Sequence, residues 1–67
     1  MNGKLLNIFR EKVPGATIDK VFDTGSELLI KIKTNMDPYY FINKNTKEVR
    51  GAQYPKDLPT IEKAYTN

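Results

Sequence analysis

The chain has 67 residues and a formal net charge of +3, with 39% hydrophobic and 28% charged residues, which is typical of one small folded domain over residues 1–67. The sequence contains no cysteine and no histidine, so disulfide bonds, thiolate nucleophiles and the commonest zinc ligand are excluded. Eleven basic against eight acidic residues make the chain only mildly basic, whereas dedicated nucleic-acid-binding proteins usually carry a stronger or more clustered excess.

Residues 3–13 have the spacing of an amphipathic helix. Apolar residues recur there at i, i+3, i+4 and i+8, which places them on one helical face. They are Leu5, Ile8, Phe9 and Val13. Pro14 disfavours helix at the residue before it, and Gly15 is a turn residue, so the helix is predicted to end here.

Two strands are predicted next, over residues 17–23 and 27–34, joined by a turn at residues 23–26 that contains Gly25. In the first strand Ile18, Lys20 and Phe22 are predicted to share one face. The second strand has Leu28, Ile30 and Ile32 on one face and Leu29, Lys31 and Lys33 on the other.

Residues 39–43 and 48–52 are predicted to form a second hairpin. Its turn needs a residue at positive φ, and because no glycine is present Asn45 or Lys47 must provide it. A short C-terminal helix follows, capped by Asp57 and with Pro59 in its first turn. Its buried stripe is predicted to be Leu58, Ile61, Ala64 and Tyr65.

The predicted architecture is an α+β domain of two layers, with an N-terminal helix, an antiparallel meander of three to four strands and a short C-terminal helix. Both helices are expected to cover the same face of the sheet. The expected core is Leu5, Phe9, Ile18, Leu28, Ile30, Ile32, Ile42, Val49 and Ile61.

Two segments resemble PepSY-type domains. Residues 13–21 are similar to the start of those domains, where a helix ends at Pro-Gly-Ala and a strand follows. Residues 40–49 resemble their hairpin, with Asn43 in place of the family's Asp and Lys47 in place of its Gly. Residues 37–50 also resemble small hypothetical proteins of phages and prophages. The resemblance covers residues 9–52, and its motifs are structural, so it implies a fold rather than an activity.

PepSY domains are typically secreted or membrane-attached modulators of proteases, and the phage-type proteins are short single domains. No export signal and no apolar run of about 20 residues is visible in the sequence. We therefore expect a cytoplasmic protein of phage or prophage type that does not associate with a membrane.

A catalytic site is not expected. Without histidine and cysteine, the candidate acid-base or metal-binding groups are Asp19, Asp23 and Glu27 around the first hairpin. Asp23 is also a favoured turn residue, and Glu27 is ordinary at a strand start. The four glycines are scattered and form no phosphate-binding loop. The sequence therefore predicts a non-enzymatic protein without a cofactor or metal.

One sheet face is the predicted binding site. If Ile42 pairs with Val49, then Tyr40 pairs with Gly51 and Phe41 with Arg50. The face turned away from the helices is then apolar, aromatic and basic, as interface centres are. It carries Leu29, Lys31, Lys33, Tyr39, Phe41 and Arg50.

Three interpretations of that face remain open. It docks a protein partner or a second copy of the chain, with the free edge strand as a further docking element. Alternatively, it binds nucleic acid through Lys31, Lys33, Lys44, Lys47 and Arg50 around Tyr39 and Phe41. In the third interpretation the C-terminal helix or Met36 covers it, or its aromatic side chains only form cross-strand pairs.

Overall fold

The computed structural model describes residues 3–34, 36 and 38–66. Its elements in chain order are helix α1 (Gly3–Lys12), strands β1 (Ile18–Asp23), β2 (Glu27–Ile32), β3 (Tyr39–Asn43) and β4 (Val49–Gly51), and helix α2 (Leu58–Thr66). The strands form one antiparallel sheet in the order β1-β2-β3-β4. The predicted α+β class and order of elements are confirmed.

Both hairpin turns follow from local chemistry. Gly25 has a φ of 108° in the turn between β1 and β2, a conformation open to glycine at little cost. In the turn between β3 and β4, Lys47 has a φ of 66°, which confirms that one of the two predicted residues takes the left-handed conformation. The Asn43 side chain stabilises this turn, since its Oδ1 accepts hydrogen bonds from the backbone N–H groups of Asn45 and Thr46 at 2.8 and 2.9 Å.

The register of the second hairpin is the one that the sequence predicts. Ile42 lies opposite Val49, and on the next position Phe41 lies opposite Arg50. Since side chains alternate along a strand, Ile42 and Phe41 point to opposite faces of the sheet. Both are fully buried, so each face of the sheet must be covered.

The two helices lie on opposite faces, which makes three layers where the sequence predicted two. The α1 face is the side on which Leu5 and Phe9 of α1 pack against the strands, and the α2 face is the side on which Ile61 of α2 does so. The strand residues in the core of the α1 face are Leu28, Ile30 and Ile42, and those of the α2 face are Leu29 and Phe41. The physical reason is that β2 and β3 carry apolar residues on both faces, and one layer of helices covers only one of them.

Six of the nine predicted core residues are buried. They are Leu5, Phe9, Leu28, Ile30, Ile42 and Ile61. The other three, Ile18, Ile32 and Val49, are half-buried and pack around the α1-face cluster. Ile18 is the first residue of β1, Ile32 is the last residue of β2, and Val49 lies in the short edge strand β4, so all three are at the margin of the sheet.

Strand β1 contains an irregularity that changes its faces. The pairing register shifts between Ile18 and Lys20, so Asp19 is an extra residue in the manner of a β-bulge. Ile18 consequently packs with the α1-face cluster, whereas Phe22 packs with the α2-face cluster. The prediction that Ile18, Lys20 and Phe22 share one face is therefore wrong.

Candidate functional site

The six residues of the predicted binding face lie on the α2 face. Helix α2 covers this face, and Leu29 is 0% and Phe41 1% exposed. These two side chains cannot meet a partner in the folded chain, so their assignment as partner-binding residues is corrected. The register was right, and the error came from the expected position of α2. The interpretation in which the C-terminal helix covers this face is confirmed.

Arg50, a third member of that set, binds within the chain. Its Nη1 and Nη2 donate to Asp57 Oδ2 and Oδ1 at 2.7 and 3.2 Å, and Nη2 lies 3.5 Å from Glu27 Oε1. The guanidinium also stacks on the Phe41 ring, 4.4 Å from its centroid. A bidentate arginine–carboxylate pair is a strong, directional contact, so Arg50 fastens the start of α2 to the sheet.

Asp57 is buried and has a different role from a simple cap. Its main-chain oxygen accepts the first helical hydrogen bond from Ile61, while its carboxylate binds Arg50 and the backbone N–H of Gln53 at 2.8 Å. The Arg50 hydrogen bonds hold the pKa of Asp57 below its ordinary value, and the Gln53 N–H adds to this, while burial acts in the opposite direction. Asp57 is therefore charged at neutral pH.

Acid should loosen the attachment of α2. Because the pKa of Asp57 is lower in the folded chain than the ordinary 3.8, its stabilising contribution is complete above that value and is lost as the pH falls through the lower folded value. We expect the melting temperature, measured by circular dichroism, to decrease once the pH is lowered below about 4. Asp57→Asn should be less stable than the wild type at pH 7, by roughly 1–3 kcal/mol. On acidification this variant should lose less stability than the wild type. If the melting temperature of Asp57→Asn decreased with pH as much as that of the wild type, this role of Asp57 would be contradicted.

Lys31, Lys33 and Tyr39 complete the predicted set. Lys31 Nζ binds Asp19 Oδ2 at 2.8 Å. Lys33 is exposed just beyond the end of β2, and Tyr39 is half-buried with its ring 6.3 Å from that of Tyr65 in an edge-to-face arrangement. These three remain close to the surface at one end of the α2 face, apart from Arg50.

The acidic residues around the first hairpin do not form one site. Asp19 binds Lys31, Asp23 binds Lys44 at 2.6 Å, and Glu27 faces Arg50, so each carboxylate has its own cation. Across residues 3–34, 36 and 38–66, no group of three or more acidic side chains is arranged to hold a metal ion. The Asp19–Lys31 pair joins the neighbouring strands β1 and β2, and the other two pairs reach across an intervening strand, from β1 to the end of β3 and from β2 to β4.

A groove between β1 and α2 is a concave surface with mixed chemistry. It includes a cleft of about 420 Å³ between the end of β1 and the helix. Phe22 lies in its floor, 4.9 Å from the Tyr65 ring, and Lys20 Nζ lies 5.4 Å from the Tyr65 centroid. We call this surface the β1–α2 groove. The cleft is lined by Phe22, Asp23, Thr24, Thr60, Lys63 and Ala64, and Lys20 and Tyr65 extend the groove beyond it.

The groove runs beside a free edge of the sheet. Strand β1 is the first in the sheet order, and no strand of the described residues pairs with its outer side. The Thr24 N–H donates to the Glu27 oxygen at 2.9 Å. Because hydrogen-bonded and non-hydrogen-bonded pairs alternate in an antiparallel ladder, the Phe22 main chain faces β2, and the main chains of Val21 and Asp23 face outward.

Tyr65 provides a neutral aromatic surface at one end of the groove. Burial raises the pKa of Tyr65 to about 12, and the neighbouring Tyr39 hydroxyl and the charge of Asp19 act in the same direction. The residue as a whole is 41% exposed. An uncharged tyrosine attracts a cation to its face, which agrees with the position of Lys20.

The sequence did not identify the groove because it is created by the position of α2. Phe22, Lys63 and Tyr65 meet there only when α2 lies on the opposite side of the sheet from α1. One signal was present in the sequence: Val21 and Phe22 are adjacent apolar residues in an edge strand, which indicates that both faces of β1 meet other side chains.

Comparison with known proteins gave no match to a family model, to a curated protein or to a solved structure. The resemblance to PepSY-type domains and to phage proteins therefore stays a prediction. In the described part of the chain, neither helix has the length and apolar character that crossing a membrane requires.

Proposed function

We propose that the chain is a cytoplasmic, non-enzymatic interaction module that binds an extended segment of a protein partner along the outer edge of β1. The observation that carries the proposal is the outward main chain of Val21 and Asp23 lying beside the β1–α2 groove. Main-chain hydrogen bonds to a sheet edge give such complexes affinity, and pockets for alternate side chains give them specificity.

The geometry also limits the length of the docking edge. The bulge at Asp19 interrupts the regular ladder, and β1 ends at Asp23 before the turn at Gly25, so the regular outer edge covers only residues 20–23. Short, bulged and charged edges resist indiscriminate pairing between chains. The edge therefore suits a segment that gains additional binding energy from side chains in the groove.

Nucleic-acid binding, the alternative, has less support. Phe41 is buried and offers no surface for base stacking, and Arg50 is bound to Asp57. Lys31 and Lys44 are paired with Asp19 and Asp23. Pairing with carboxylates lowers the positive charge that these residues offer to phosphates.

Val21→Pro should abolish partner binding while the chain still folds. The outward N–H of Val21 makes no bond in the sheet, and proline is tolerated at such edge positions. Proline removes that donor, so a strand cannot add there. We would select linear peptides from a random display library on the wild-type chain and measure their affinity for Val21→Pro, expecting a loss of about tenfold or more. In the wild type, amide NMR shifts should be largest at Val21 and Asp23.

Val49→Pro is the matched control on the opposite edge. The Asn43 N–H donates to the Glu48 oxygen at 2.9 Å, so the same alternation turns the Val49 main chain outward from β4. Val49 and Val21 are both half-buried against the α1-face cluster, and the two prolines should cost similar stability. Binding lost in Val49→Pro and kept in Val21→Pro would place the docking edge on β4 and overturn the proposal.

A further inference from the structure

From the chemistry of the β1–α2 groove we infer the kind of segment that it receives: an extended one with a carboxylate side chain two residues from a large apolar side chain. The carboxylate binds Lys20, and the apolar side chain enters the cleft beside Phe22. This inference rests on the proposed function, because it assumes that the segment adds to the edge of β1.

The spacing follows from strand geometry. A residue that pairs with the outward main chain of Val21 has two neighbours whose side chains point to the α2 face. These neighbours lie beside Lys20 and Phe22, the residues on either side of Val21, whichever direction the added strand takes. Two alternate side chains of the partner, about 6.6–6.8 Å apart, therefore meet the two ends of the groove.

Lys20 is placed to receive an anion. It lies directly opposite Lys31 on β2, and like charges in that position are destabilising. The nearby Asp19 carboxylate bonds Lys31 and meets the Lys20 charge only at longer range, and the Lys20 ammonium lies 5.4 Å from the centroid of the neutral Tyr65 ring. Within the described part of the chain, no carboxylate forms an ion pair with Lys20. An acidic side chain at this position would have served stability better, which favours a binding role for the lysine.

The other end of the groove suits an apolar side chain. Phe22 and Ala64 provide apolar surface, and Asp23, Thr24, Thr60 and Lys63 lie around the cleft. Phe22 is half-buried, so part of its ring is still available for contact. An apolar or aromatic side chain in this space removes that ring surface from water. The Lys63 ammonium and the Asp23 carboxylate, which is paired with Lys44, lie at the margin of the cleft.

Two synthetic decapeptides test the inference. Both alternate serine and threonine around a phenylalanine, and they differ two residues away from it, where one carries Glu and the other Lys. We expect the Glu peptide to bind the wild-type chain about tenfold more tightly or better, measured by isothermal titration calorimetry. Lys20→Glu should abolish or reverse this preference.

Lys4→Glu is the matched charge control. It changes the net charge by the same amount, and Lys4 is an exposed residue of α1 on the other side of the sheet. It should leave the preference unchanged. Lys20→Glu should keep the melting temperature of the wild type or raise it, because the new carboxylate faces Lys31. A loss of binding in that variant is then not a loss of folding.

The outcomes separate this inference from the proposed function. Equal binding of the two peptides, both lost in Val21→Pro, overturns the inference and leaves edge binding intact. Peptide binding that survives Val21→Pro overturns both. A wild-type dimer that Val21→Pro converts to a monomer, measured by light scattering, makes a second copy the occupant and overturns the inference. Binding of a random oligonucleotide that Lys20→Glu abolishes, with neither peptide bound, also overturns it.

Discussion

Phe41→Ala should leave much of the chain unfolded at room temperature. Phe41 is 1% exposed in the centre of the α2 face, with Ile61 in the same cluster and the Arg50 guanidinium stacked on its ring. Truncation of a buried phenylalanine to alanine costs about 3–5 kcal/mol. A domain of this size has a free energy of unfolding of only about 5 kcal/mol in total, so little stability would remain.

Urea unfolding followed by circular dichroism measures this loss. Met36→Ala is the control, because Met36 is 77% exposed and exposed substitutions usually change stability by less than about 0.5 kcal/mol. A transition in Phe41→Ala at the urea concentration of the Met36→Ala transition would contradict the burial of Phe41. Phe41 would then be a surface residue, as the sequence predicted.

The second hairpin shows what the sequence could predict. Its register and the positive φ of Lys47 depend on residues that are close in the chain. A turn that lacks glycine must place another residue in the left-handed region, and an alternating strand permits few registers. Local chemistry of this kind is visible without knowledge of the rest of the fold.

The position of α2 could not be obtained in the same way. Its apolar residues Ile61 and Ala64 can cover either face of a sheet whose central strands are apolar on both sides. The choice depends on tertiary contacts, among them the Arg50–Asp57 pair at the start of the helix. The sequence identified Arg50 as an interface residue because arginine has the same preference for bidentate, stacked contacts within a chain as between chains.

The candidate site was difficult to predict from the sequence for the same reason. Lys31, Lys33 and Tyr39 were identified from the sequence and do lie near the surface, but the groove next to them needs both the α2 position and the bulge at Asp19. A bulge moves every later side chain of its strand to the other face. Lys20 therefore meets Tyr65 only because one extra residue precedes it.

Ile30→Ala should remove about 2–5 kcal/mol of stability through the opposite face of the same sheet. Ile30 is 0% exposed in the α1-face cluster, together with Phe9. The matched variant Ile30→Val deletes one methylene group and should cost about 0.5–1.5 kcal/mol. The urea midpoint of Ile30→Val should therefore lie slightly below that of the wild type, and the midpoint of Ile30→Ala should lie further below it.

Ile30→Val also separates folding from binding. Ile30 lies opposite Val21 on β2 but points to α1, away from the β1–α2 groove. The folded fraction of this variant should therefore bind the Glu peptide with wild-type affinity, since the docking edge and the groove keep their residues. If Ile30→Val lost as much affinity for the Glu peptide as Lys20→Glu does, the α1 face would control the position of β1. The two faces of the sheet would then act as one cooperative unit, and the groove could not be treated as a surface separate from the core.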